Sequence, residues 1–127
     1  MRTAAAARAL PTSDGAVVTK AALRAAARLG LSNRVLSRVL GLSEASISRM
    51  GSGSYVLTPT DKSFELAVIF IRLFRALDAI VGGDEEAARG WIGAENLALG
   101  GVPREQIQSL PGLINVVGYL DARRALV

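Results

Sequence analysis

In "NRVLSRVLGLSEASISRM", residues 33 to 50, the side chains with chemistry to offer are cations and hydroxyls. Arg34 and Arg38 stand one helical turn apart, and Arg49 follows after a glycine-centred break. Ser43, Ser46 and Ser48 lie between, with Glu44 and Ala45. A guanidinium grips a guanine edge or a phosphate through two parallel hydrogen bonds. Serine hydroxyls donate or accept to either, and a glutamate accepts from the cytosine amine. This is chemistry for reading a polyanion. Catalysis has less to work with, because the chain has no histidine and no cysteine. The commonest general base and metal ligand are missing, and no disulfide or thiolate centre can form. Carboxylates remain, but Asp84, Glu85 and Glu86 sit at a helix start, where they complement the helix dipole. The expectation is no enzyme, no cofactor and no metal.

Two short helices must hold those residues. Val35, Leu36, Val39 and Leu40 recur at helical spacing, and Gly41 permits a sharp turn. Leu42 would plug the angle between the helices, and Ser37 is small where they cross. Ile47 and Met50 form the inner face of the second helix. This is the pattern of a helix-turn-helix, whose second helix enters the major groove. Ser43, Glu44, Ala45, Ser46, Ser48 and Arg49 would then face the bases. Arg34, Arg38, Lys20 and Arg24 would meet phosphates, which position the unit without specifying sequence. One arginine and three serines make a thin reading surface, so two half-sites are expected to act together.

The flanking signals are also helical. Hydrophobic residues make up 50% of the chain and aromatics only 5%, so the core must be mostly Ala, Leu, Val and Ile. Residues 19 or 20 to 29 read as a first helix, ended by Gly30. Ser32 caps residues 33 to 40, and Ser43 caps 44 to 50. "GSGSYVLTPT" is the best domain border. Thr60 or Asp61 caps a long helix over 62 to 81. Asp84 caps 85 to 92, Pro103 opens a short helix to 108, and a last helix runs from 111 or 112 to 125. No strand alternation and no repeat interrupts this order. The expected fold is all-α. A flexible tail, 1–17, precedes a helix-turn-helix unit, 18–54, and a helical dimerisation and partner-binding domain, 55–127.

The long helix is too apolar for one-sided packing. Its apolar side chains sweep roughly 200°, where a surface helix needs about 100°. Its own domain is one cover, and a second copy is the other expected. Phe64, Phe70, Ile71 and Phe74 are the candidate dimer interface.

Charge divides the chain as well. Residues 1 to 54 hold eight Lys/Arg against two Asp/Glu, a net of +6. Residues 55 to 127 hold seven against nine, a net of −2. A basic front half suggests polyanion binding there and another task behind it. The longest charge-free run, 106 to 120, is too short and polar to span a bilayer. "MRTAAAARAL" lacks a signal-peptide core; a flexible tail is expected, with a transit peptide as the alternative. No membrane partner and a cytoplasmic location are expected.

The last third carries an ordered series. Trp91 and Ile92 are followed by Asn96 and Leu99, Gly101 and Pro103, Gly112, and then Val116, Tyr119, Leu120 and Arg123. This series resembles the toxin-binding domain of the Xre/MbcA/ParS-type antitoxins. The long helix and an Xre-like helix-turn-helix precede it in the order that family has. The resemblance covers about residues 18 to 127. It implies a type II antitoxin that forms a homodimer, binds its own operator DNA and joins its toxin in a larger complex. The usual partner is a RES-domain toxin that consumes NAD.

On the last helix, Leu113, Val117, Leu120 and Arg124 share one face, and Val116, Tyr119 and Arg123 an adjoining one. One face must pack and the other is free. The candidate toxin-binding residues are Val116, Tyr119, Leu120, Arg123 and Arg124. Trp91 is expected in the core. The rival reading is a stand-alone transcriptional regulator whose second half only dimerises or binds a small effector.

Overall fold

Five of the seven helices among the described residues start where a side chain accepts from their first backbone donors; Asp61 stands at the start of the long helix but makes no such bond. The computed structural model describes residues 13–126, so most of the expected tail lies outside the described residues. Ser13 accepts from the Ala16 amide at 3.1 Å and opens α1, Asp14–Leu29. This helix begins five or six residues earlier than the sequence pattern suggests. Ser13 caps it, and Asp14 in its first turn complements the dipole. Ser32 caps α2, Asn33–Leu40, and Ser43 caps α3, Glu44–Ser52. The long helix, α4, is Lys62–Ile80. Asp84 caps α5, Glu85–Gly93. Two further helices follow, α6, Pro103–Gln106, and α7, Leu110–Arg124. Gly30, Gly41 and Gly53 end α1, α2 and α3 in left-handed geometry, with φ of 70°, 69° and 86°. Among the described residues there is no strand, only one isolated bridge between Asn96 and Gly101. The all-α expectation holds.

The wide apolar arc of α4 is spent inside the chain. The helix packs on α7 along one side and on α1 along another, and it also touches α2 and α5. Ala67, Phe70, Leu73, Ala76 and Leu77 are all fully buried. Two-sided cover is present, and both covers belong to the same chain.

Two features lock the halves together. Thr19 is buried; its hydroxyl donates to the Gly15 carbonyl at 2.6 Å and accepts from the Leu57 amide at 2.9 Å. The extended stretch before α4 is thereby fixed to α1. At the other end of α1, Arg89 of α5 donates to the Ala27 and Arg28 carbonyls at 2.8 and 3.1 Å. These are last-turn carbonyls of α1, which a guanidinium satisfies well. Arg28 in turn lies 3.5 Å from Asp78 and 5.6 Å from the centre of the Phe74 ring. Its approach to Glu85, at 3.2 Å, is a charge contact without hydrogen-bond alignment.

Candidate functional site

The helix pair α2–α3 turns at Gly41. Leu42 is half-buried in the angle, and its amide donates to the Ser37 carbonyl at 2.9 Å. Ser37 is buried at the crossing and donates its hydroxyl proton to the Arg34 carbonyl at 2.7 Å. Ile47 and Met50 point inward and are buried. Ser43, Glu44, Ala45, Ser48 and Arg49 are exposed, and Ser46 is half-buried. The six residues picked as base-facing therefore share the outer surface of α3.

Arg49 does not wave freely. Its guanidinium donates to the Ser46 hydroxyl at 3.2 Å, and Ser46 accepts from the Ser43 hydroxyl at 3.0 Å. Ser43 also caps the helix by accepting from the Ser46 amide at 3.0 Å. Cap and reading residue thus form one relay. Arg34 and Arg38 are exposed on α2, and Arg38 reaches Gln108 at 3.4 Å. Lys20 lies beside the last turn of α3. Arg24 does not; it lines a groove with Ile71 and Arg75 on the α1–α4 side.

The second surface is at the end of α7. Val116 and Leu120, expected at the partner face, are interior, with 0% and 1% exposure. The correction has a simple cause. Both adjoining apolar faces of α7 are used, because α4 and its neighbours cover Leu113, Val116, Val117 and Leu120 together. At the C-terminal end of α7, what remains outside is polar-tipped. Tyr119 is half-buried, and Arg123 and Arg124 are exposed. Trp91, expected in the core, is also half-buried and stacks on Tyr119, with ring centres 6.3 Å apart and planes at 17°. Arg123 lies over the other part of this ladder, 5.7 Å from the Tyr119 ring, and donates to its hydroxyl at 2.8 Å. Aromatic stacking and a cation over the ring hold that guanidinium in place.

The candidate dimer residues also need correction. Phe70 is wholly interior. Phe64, Ile71 and Phe74 are half-buried by their own chain, and Val68, not singled out beforehand, is 45% exposed. On α7, Leu110 and Ile114 are about half exposed one turn apart, and Leu97 on the Asn96–Gly101 loop is 98% exposed. Aliphatic residues carry no chemical signature in a sequence, so only geometry reveals these three. Among the described residues, no group of three or more His, Cys, Asp or Glu is placed to hold a metal ion. No helix there is long and apolar enough to cross a membrane.

The Asn96, Leu99, Gly101 and Pro103 series also has a geometric meaning. The Asn96 side chain accepts from the Leu99 amide at 3.0 Å, and the Asn96 backbone N–H donates to the Gly101 carbonyl at 2.8 Å. Pro103 is buried at the first position of α6.

Two family models match the chain, one in each half. A model of the antitoxin Xre-like helix-turn-helix domain matches residues 3–72, more than half of the chain. A model of the antitoxin Xre/MbcA/ParS C-terminal toxin-binding domain matches residues 76–125. No curated protein matches the chain. Neither domain is enzymatic: one binds DNA and the other binds a cognate toxin. The first match ends and the second begins inside α4, with residues 73–75 between them. The chain belongs to the Xre-type antitoxins, which join a helix-turn-helix DNA-binding domain to an Xre/MbcA/ParS C-terminal toxin-binding domain.

Proposed function

We propose that this antitoxin neutralises a RES-domain, NAD-consuming toxin in the cytoplasm and, as a homodimer, represses its own operon. The observation that carries the toxin half is the Trp91–Tyr119–Arg123 ladder, which supports Arg123 as a fixed cation beside exposed Arg124. Tyrosine, tryptophan and arginine are the residue types most enriched at interface hot spots. A rigid guanidinium suits the polar mouth of a nucleotide-binding pocket. The DNA half rests on the outward face of α3, with Arg49 as its one base-reading cation.

Self-association follows from the same thin reading face. A single arginine per half-site needs a second half-site to give useful specificity. The contact is assigned to what α4 leaves exposed, Val68 with half-buried Phe64, Ile71 and Phe74. Co-expression with the protein encoded beside it tests the reading directly. The expected result is co-purification and preservation of cellular NAD. A neighbour that neither binds nor consumes NAD would overturn the RES assignment. Light scattering of the antitoxin alone at micromolar concentration should give twice the monomer mass.

A further inference from the structure

We infer that a second copy packs antiparallel along α4, on a two-fold axis at Val68, with Asp61 and Glu65 of each protomer paired to the partner's Arg75 and the partner's Arg72. The inference rests on the self-association proposed above. It adds the orientation, the register and the ion pairs.

The outer line of α4 carries the pattern. Positions seven apart on a helix return to nearly the same face. Asp61, at the N-cap, Val68 and Arg75 are spaced by seven, and all three are exposed. Glu65 and Arg72, also seven apart and exposed, flank that line. Val68 is the exposed large apolar side chain of α4, and exposed Val17 of α1 borders the same groove with Ile71. The helix therefore presents carboxylates at its start, an apolar middle and guanidiniums toward its end.

These charges are weakly used within one chain. The Asp61 side chain makes no capping bond. Among the described residues, neither Asp61 nor Arg75 has an ion-pair partner, and Glu65 meets only Lys62, at 3.9 Å. Arg24 of α1 shares a groove with Arg75, and no residue lining that groove is acidic. Two guanidiniums there lack a counter-charge. Arg72 reaches Asp121 of α7 yet stays mostly exposed, and a guanidinium has five N–H donors to share.

A second copy complements this line in one orientation. In an antiparallel pair centred on Val68, each residue faces the one equally far on the other side of the axis. Asp61 then faces the partner's Arg75, about 10 Å from the axis at 1.5 Å per residue. Glu65 lies beside the partner's Arg72. Two-fold symmetry makes each pair twice. Parallel packing would instead set carboxylate on carboxylate and guanidinium on guanidinium. The chain's own start is a poor occupant, because residues 1–12 hold Arg2 and Arg8 and no acidic residue. A nucleic acid would meet the two carboxylates at the start of the line.

The test is sedimentation equilibrium of the full chain across the micromolar range. Asp61→Arg and Arg75→Asp, each alone, should raise the dimer dissociation constant about tenfold, because two attractions become two repulsions. The chain with both changes should return to within about threefold of the original. That rescue is particular to the antiparallel register, since parallel packing would still face like charges. Val68→Glu, at an exposed position, should give a monomer. Helical circular dichroism and thermal midpoints show that each variant is folded. A dimer lost in Val68→Glu but indifferent to the charge reversals, or not rescued by the double change, overturns the register and leaves self-association through α4 standing. A dimer untouched by Val68→Glu overturns both. A chain that stays monomeric also overturns both, and the face is then the toxin's if only the co-expressed neighbour covers it. Dimerisation only after removal of residues 1–12 overturns the inference as well, because the chain's own start would then be the occupant.

Discussion

Arg49 shows how much one side chain can be asked to do. It is the only cation on the outer face of α3, and in the free protein it rests on Ser46. Meeting a guanine exchanges that neutral bond for two charge-assisted ones. Arg49→Ala should therefore cost about 1–3 kcal/mol of operator affinity, with a smaller loss on random DNA. Arg38, on α2, should act differently. Arg38→Ala should weaken both DNAs alike and reduce the salt slope by about one. Gel-shift titrations at several salt concentrations separate the two outcomes; unchanged operator affinity for Arg49→Ala would remove α3 from the groove. At the other surface, the Tyr119→Ala, Arg123→Ala double variant should keep its helical circular dichroism and DNA binding but fail to rescue cells from the toxin. Full rescue would move the toxin contact elsewhere. That Arg123 is exposed and Tyr119 only half-buried agrees with their polar tips. The burial of Val116 and Leu120 was not legible, because periodicity shows which residues share a face but not what that face meets. Trp91 packs against the core as its size suggests, but only half-buried, and its stacking partner Tyr119 lies too far off in sequence to be foreseen.

At the scale of elements, caps made the fold legible. Ser32, Ser43 and Asp84 open their helices as expected, and Gly30 and Gly41 close theirs. Each is a local signal acting within four residues. The wide arc of α4 was equally visible, but its cover was not. A hydrophobic stripe states a need, and the topology decides whether α1 and α7 or a second copy meets it. Glycines carry the same ambiguity, and α7 contains both kinds. A Cβ on Gly112 would lie 1.8 Å from the Gln106 carbonyl oxygen, while one on Gly118 would meet nothing within 4 Å. Gly118→Ala should stabilise the protein by about 0.5–1 kcal/mol through helix propensity. Gly112→Ala should destabilise it by more than that gain, because backbone must move to admit the methyl. Urea midpoints at constant slope measure both. A neutral Gly112→Ala would mean that the α6–α7 turn adjusts freely.

For the whole molecule, the question is whether two binding tasks need two independent folding units. Their charges differ, but their packing does not separate. Phe70 and Leu73 of α4 belong to the same core as Leu36 and Leu40 of α2 and as Val116 and Leu120 of α7. Arg89 crosses from the toxin-binding half to close α1, and Gln108 crosses to Arg38. Deleting the Phe70 side chain should cost about 3–5 kcal/mol. That loss is comparable to the whole stability of many small domains, and both surfaces would suffer it together. A shared core of this kind predicts one cooperative transition. The chain supplies a convenient reporter, since Trp91 is its only tryptophan and lies in the toxin-binding half. Thermal unfolding followed by Trp91 fluorescence and by helical circular dichroism should give coincident curves. Arg89→Ala should shift both midpoints down by the same amount, because the α1 carbonyls it serves lie in the other half. Fluorescence that melts clearly before the helical signal would show that the halves unfold separately. In that case α4 would be a linker between two units and not their common core.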